Sequence, residues 1–115
     1  MQVVRDKITV AELQKMSEKM FGNLVKAVVD IEQKIMIIDG QMHEDQEMYF
    51  LEKLESKQEN LWGINLHPQE IGTDDWIEFD SMINVRPWQG NRSRSVQDSK
   101  IQKIIIELVN RLVVV

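Results

Sequence analysis

The apolar positions of the chain predict helices near both ends. From residue 101 onwards, apolar side chains recur three and four residues apart, so they share one face of a helix that Asp98 or Ser99 can cap. A similar stripe covers about residues 10–21. It follows Thr9, whose hydroxyl forms a capping-box pattern with the carboxylate three residues later. These segments are predicted to be the first and last helices of the fold.

The segment from Met42 to Glu55 fits two structures. Apolar side chains three residues apart favour a second helix. Tyr49 and Phe50 interrupt that spacing, so a short strand over residues 48–52 is the alternative. We take the helix as the prediction.

Three further segments have the composition of strands. Leu24–Ile31 and Ile35–Ile38 are rich in β-branched residues and are separated by only three residues, which predicts a β-hairpin. Asn60–Leu66 reads as another strand, in which Gly63 indicates a bulge or a close approach of another part of the backbone. The pair Val3-Val4 is either an edge strand or a loosely held start of the chain.

A last strand is predicted from Trp76 to Pro87. Side chains alternate between the two faces of a strand, so the odd-numbered residues from 77 to 85 are expected to point into the protein. The opposite face would then carry an unusual set of mostly polar side chains, namely Glu78, Asp80, Met82, Asn84 and Arg86.

These elements predict an α+β fold with the order αββαββα. Two hairpins form a four-stranded, mainly antiparallel sheet, and the three helices pack mostly on one face of it. The other face is expected to be solvated, as is common in antiparallel sheets. At 115 residues the chain is long enough for one domain, residues 1–115, and too short for two.

Composition narrows the functional classes. The net charge of −5 argues against duplex DNA as a partner, because binding to a duplex depends on neutralising phosphates. The absence of cysteine removes disulfides, thiolate metal sites and cysteine nucleophiles. No apolar run approaches the ~18 residues of a membrane span, and the first thirty residues are too charged for a signal peptide. We therefore expect a cytoplasmic protein without a membrane partner.

The acidic residues of the predicted sheet face suggest one kind of site. Glu78 and Asp80 would point the same way, with Asp30 facing them from a neighbouring strand. Clustered carboxylates bind hard divalent cations or act as acid and base. The alternative is an ordinary solvated face in which Lys26 and Arg86 neutralise the acids.

The polar segment Gln89–Arg94, which follows the predicted strand, suggests another kind of site. It combines guanidinium and amide groups, and arginine suits phosphate and carboxylate ligands. One interpretation is an anion-binding loop for a nucleotide, an RNA backbone or an acidic partner. The other is that the arginines bind the protein's own acids. The ligand-binding residues predicted here are Asn84, Arg86, Gln89, Asn91, Arg92 and Arg94.

Neither histidine predicts a metal site. His43 and Asp45 could supply two ligands, but no third ligand follows nearby, so His43 is interpreted as an exposed turn residue. His67, which precedes Pro68, is interpreted as a loop residue. We assign no metal ligand and no cofactor from the sequence.

Three stretches resemble a family of short prokaryotic proteins classified as a domain of unknown function. They are Phe21–Glu32, then Ser56–Leu66 (SKQENLWGINL), and Ile77–Pro87 together with Gln89–Arg94 (QGNRSR). Together they span most of the chain and are fairly specific as a set. The resemblance implies membership of the family and carries no activity, ligand or catalytic residue with it.

The function that fits these features best is a small binding or regulatory module for an anionic small molecule or an acidic partner. One alternative is a small metal-dependent hydrolase or acid–base enzyme that uses Glu78 and Asp80. Another is a homodimeric interaction protein, because the chain closes with an apolar helix and Val113–Val115.

Overall fold

The computed structural model describes residues 1–115 and contains three α-helices and seven β-strands. None of its helices combines the length and the apolar character needed to cross a membrane. The helices are α1 (Val10–Met20), α2 (His43–Lys53) and α3 (Ser99–Leu112). The strands are β1 (Gln2–Val4), β2 (Ile8–Thr9), β3 (Val25–Asp30), β4 (Ile35–Ile38), β5 (Leu61–Leu66), β6 (Ile77–Glu78) and β7 (Val113–Val114).

Five strands form one antiparallel sheet in the order β1-β4-β3-β5-β6. The predicted α+β class and the β3–β4 hairpin are confirmed. The sheet has five strands instead of four because Val3-Val4 lies in a genuine edge strand that pairs with β4. A separate parallel pair joins β2 to β7. Val113 and Val114, two of the three C-terminal valines that suggested contact with another subunit, therefore pair within the chain, whereas Val115 is exposed.

Both faces of the sheet are covered, and each carries its own hydrophobic core. The first core lies between the sheet and the helices α1 and α3. The second lies under α2, where Phe50 packs on Val28, Ile37 and Leu61. The expectation of a solvated second face was therefore wrong over most of its area. The centre of β3 is apolar at every position, and such a strand needs cover on both sides.

The helix boundaries follow the predicted caps. Thr9 and Glu12 form both hydrogen bonds of the capping box, and Asp98 accepts a hydrogen bond from the Lys100 amide. The segment from His43 to Lys53 is a helix, so the strand alternative was wrong. Met42 precedes this helix and provides no side-chain cap, which leaves the first-turn amides of α2 without a side-chain partner.

The strand predicted from Trp76 to Pro87 is mostly absent. β6 contains only Ile77 and Glu78, after which the chain leaves the sheet and forms single 3-10 turns. Ile77 packs in the first core, whereas Ile83 packs in the second core on the opposite face. The alternation across residues 77–85 was therefore wrong. The alternate apolar residues of this segment are buried in two different places.

Side chains from this segment complete the free edge of β5. Asn84 accepts a hydrogen bond from the Gly63 amide at 2.8 Å and donates one to the Gly63 carbonyl at 2.9 Å. Arg86 donates to the Leu61 carbonyl at 2.8 Å. Beyond β6, the backbone of β5 is thus satisfied by an amide and a guanidinium where a further strand would normally pair.

Gly63 permits this arrangement because another segment passes directly over it. A Cβ atom at Gly63 would lie 2.5 Å from Cβ of Ser81, which is closer than van der Waals contact. The pairing of β3 with β5 is continuous through Gly63. The close approach predicted at Gly63 is present but is made by the side chain of Ser81, and the alternative of a bulge was wrong.

We predict that Gly63→Ala destabilises the protein by about 1–3 kcal/mol, the usual cost of overpacking a tight interior. Ser81→Gly in the same chain should recover a large part of that loss, because it removes the atoms that the new methyl group meets. Urea unfolding of both single variants and of the double variant measures the coupling. A Gly63→Ala protein as stable as the wild type would contradict the observed contact.

Candidate functional site

Arg86 was predicted to bind a ligand, but the protein itself uses its guanidinium. The residue is 1% exposed, and its guanidinium carbon lies 4.2 Å from the centre of the Trp62 ring. It donates hydrogen bonds to the carbonyl oxygens of Gln58 and Leu61. A guanidinium stacked on an indole and bonded to backbone carbonyls is a structural group.

The two asparagines of the predicted site are also buried and serve the fold. The side chain of Asn84 hydrogen-bonds to both the amide and the carbonyl of Gly63. The side-chain nitrogen of Asn91 donates to the backbone carbonyls of Asn84, Ser93 and Ser95. Its side-chain oxygen accepts from the backbone amide of Gln97. Both side chains are buried and fully engaged with backbone groups of the protein. Their polar character, which indicated a surface, reflects the backbone groups that they satisfy inside the protein.

The remaining loop residues lie at the surface. Gln89 donates to the Glu59 carbonyl, and Trp88 is 75% exposed. The backbone of Arg92 is held by the side chain of Gln97, while its guanidinium forms no hydrogen bond or ion pair within the chain. Arg94 donates from Nε to Asp80 at 2.6 Å. The loop therefore carries two exposed arginine side chains on a backbone that internal hydrogen bonds hold in place.

The acidic residues of the predicted enzyme site do not form one cluster. Glu78 accepts from Asn65 at 3.0 Å and lies 3.1 Å from Nε2 of His67. Asp80 pairs with Arg94 instead. The structure contains no group of three or more histidine or acidic side chains placed to hold a metal ion.

Asp30 lies at the other end of the sheet. It pairs with Leu61, whereas Glu78 pairs with Asn65, so the two acids are separated by roughly four strand positions, or about 13 Å. Its carboxylate is buried and accepts four hydrogen bonds, from the backbone amides of Glu32 and Gln33 and from the side chains of Gln33 and Ser56. Asp30 therefore stabilises the hairpin turn and cannot face Glu78.

A pocket of about 170 Å³ forms where the arginine loop meets the sheet and the beginning of α2. We call it the junction pocket. It is the one place where parts of the predicted sheet face and of the predicted loop come together. Its lining residues are Lys26, Met42, His43, Glu44, Asn65, Asp80, Ser81, Met82 and Arg94.

Positive groups are available at this pocket. The guanidinium of Arg94 forms a hydrogen bond within the chain only through Nε, so its terminal nitrogens are free to donate. The Lys26 ammonium lies 5.4 Å from the centre of the Phe21 ring and forms no ion pair. The uncapped N-terminus of α2 contributes the lining residues Met42, His43 and Glu44, and the Glu44 carboxylate opposes the partial positive charge of the helix end.

His43 is the residue that the sequence reading missed. It was interpreted as an exposed turn histidine, yet it is 4% exposed and its Nε2 lies 2.8 Å from the Ile64 carbonyl. Because a carbonyl can only accept, Nε2 carries the proton. Burial lowers the pKa of His43, with the nearby Lys26 acting in the same direction against the effect of the Ile64 hydrogen bond. In the neutral ring Nδ1 is an acceptor, and it forms no hydrogen bond within the chain.

This arrangement predicts a pH dependence of stability. The pKa of His43 is lower in the folded state than the ordinary value of about 6.5, so the unfolded chain binds the proton more strongly. The stability contributed by neutral His43 is therefore complete above pH ~6.5 and is lost as the pH falls through the folded pKa. Urea unfolding between pH 7.5 and 5 should show this decline.

His43→Gln should flatten the decline, because glutamine can still donate to the Ile64 carbonyl but does not titrate. His67→Gln, which changes the other histidine, is the matched control and should alter the slope less than His43→Gln does. Equal slopes in the wild type and in His43→Gln would show that His43 is not the titrating group.

Comparisons with known proteins give a family without an assigned activity. Neither the curated proteins nor the solved structures provide a match to this chain. A family model described as "Protein of unknown function (DUF5674)" matches residues 2–112, which is nearly the whole sequence. The resemblance inferred from the sequence is thereby confirmed, and the chain belongs to the DUF5674 family of proteins of unknown function.

Proposed function

We propose that this protein is a small binding or regulatory module that recognises an anionic ligand at the junction pocket. The observation that carries the proposal is the hydrogen bonding of the Arg94 guanidinium. Its guanidinium sits at the pocket and donates only Nε to Asp80, which leaves a planar set of donors suited to a carboxylate or a phosphate. Lys26 adds a second positive side chain to the same pocket.

The loop that carries Arg94 supports the proposal because it is organised before any ligand binds. Asn91 ties three carbonyls together, and the backbones of Arg86 and Asn91 pair with each other at 2.7 and 3.1 Å. A donor held on a fixed backbone loses less conformational entropy on binding than one on a flexible loop. Arg92 lies on the same loop with an unpaired guanidinium, and we assign it a supporting role in attracting the anion.

The hydrolase alternative has less support from the geometry. Glu78 and Asp80 take different partners, and Asp80 is neutralised by Arg94. The two hypotheses differ in the role of Asp80. In the binding module Asp80 competes with the ligand for Arg94, whereas in the enzyme it would carry the chemistry.

We expect millimolar inorganic phosphate, pyrophosphate or a nucleotide to raise the melting temperature and to shift the amide resonances of residues around the junction pocket. Arg94→Ala should weaken binding at least tenfold, and Arg92→Ala should weaken it by a smaller factor. Arg94 and Asp80 form an exposed ion pair worth only about 0–1 kcal/mol, so the variant should remain folded. Calorimetric or NMR titration measures the affinities.

Two controls make the test specific. Arg5→Ala removes the same charge from an exposed residue next to β1, at the opposite edge of the sheet, and should leave binding unchanged. Asp80→Asn should tighten binding because it frees Arg94. Weaker binding in Asp80→Asn, or equal losses in Arg5→Ala and Arg94→Ala, would contradict the proposal.

A further inference from the structure

The junction pocket contains acceptors as well as positive groups. His43 and Asn65 both line it, and both are more than nine-tenths buried. His43 Nδ1 has no hydrogen-bond partner in the chain, because the ring bonds to Ile64 only through Nε2. Asn65 uses its amide nitrogen for Glu78 and for the Asp80 carbonyl, while its oxygen is buried without a partner. An unpaired buried acceptor is costly, so the Asn65 oxygen at this pocket requires an explanation. His43 Nδ1 is a second acceptor at the same pocket, and it is open to a ligand.

The hydrogen bonds that these side chains do form fix which atoms remain. Nε2 of His43 donates to a carbonyl, and the amide nitrogen of Asn65 donates to a carboxylate and a carbonyl. If the Asn65 amide were rotated by 180°, or if the proton of His43 moved to Nδ1, an acceptor would face another acceptor. The unpaired atoms are therefore acceptors, and an anion alone cannot satisfy them.

The carboxylates at the pocket favour the same kind of ligand group. Glu44 and Asp80 line it together with Lys26 and Arg94, so both signs of charge are present. The space of about 170 Å³ takes in a group of a few heavy atoms, and the rest of a larger ligand can stay outside. A small molecule with an anionic group and a nearby hydrogen-bond donor would match both sets of residues.

We propose that the ligand of the junction pocket is a small anion that also carries a hydroxyl or ammonium donor, and that this donor binds Nδ1 of His43. The anionic group binds Arg94 and Lys26, so the inference rests on the proposed function. His43 then acts as a specificity determinant. It distinguishes a hydroxy acid or an amino acid from a simple carboxylate of the same shape.

Three carboxylates of nearly equal shape test this inference. Isobutyrate, lactate and alanine carry a methyl group, a hydroxyl group and an ammonium group at the same position. Wild-type protein should bind lactate or alanine at least tenfold more tightly than isobutyrate, as measured by NMR titration, and the better of the two identifies the donor. The ¹⁵N resonance of His43 Nδ1 should move upfield with that ligand and remain in place with isobutyrate.

A variant provides a second readout. In His43→Leu the advantage over isobutyrate should fall below twofold while isobutyrate binding persists, and His67→Leu should keep the advantage. The wild-type ¹⁵N measurement remains decisive if His43→Leu fails to fold. Equal binding of all three carboxylates, or binding of inorganic phosphate alone, would overturn this inference and leave the proposed function standing. No binding of phosphate, pyrophosphate, a nucleotide or any of the three carboxylates would overturn both.

Discussion

The outer edge of β5 is the constraint on which the rest of the structure depends. An exposed strand edge carries backbone donors and acceptors that must find partners, and β6 provides them at only two positions. Asn84 and Arg86 satisfy the edge at Gly63 and Leu61 with side-chain groups. The segment after β6 is thereby bound to the sheet without being part of it.

This binding through side chains also determines where the loop can present its own groups. Because Asn84 and Arg86 point into the protein, the chain between Met82 and Asn91 turns twice and closes on itself. Asn91 then fixes the return of the chain, and Arg94 reaches Asp80. The result is a fixed loop whose Arg94 lies at the junction pocket beside the beginning of α2. The inward residues support the site, and the outward residues are available to a ligand.

The sequence predicted well what depends on local chemistry. The caps of α1 and α3, the hairpin of β3 and β4, and the close approach at Gly63 all follow from a few neighbouring residues. It failed where a polar side chain is buried by long-range contacts. Asn84 and Arg86 looked like one face of a strand, because alternation cannot distinguish a side chain in water from one bonded to a backbone group 20 or more residues away.

The same limit explains why part of the candidate site was missed. His43 and Gln46 face the sheet from α2. These two polar side chains interrupt the apolar stripe that would otherwise indicate a helix. Asp30 is bonded by Gln33 of its own turn and by the distant Ser56, so an acid that looked catalytic is a turn residue. Of the predicted ligand residues, Arg92 and Arg94 keep free guanidinium donors at the surface, and Arg94 lies at the junction pocket.

The most direct measurement concerns the hydrogen bond between Gly63 and the side chain of Asn84. A through-hydrogen-bond NMR experiment on ¹³C,¹⁵N-labelled protein should correlate the Gly63 amide nitrogen with Cγ of Asn84, and the Gly63 amide proton should exchange as slowly as those in the middle of β3. A rapidly exchanging Gly63 amide without this correlation would mean that Asn84 does not complete the edge of β5. The loop built upon it would then lose its support.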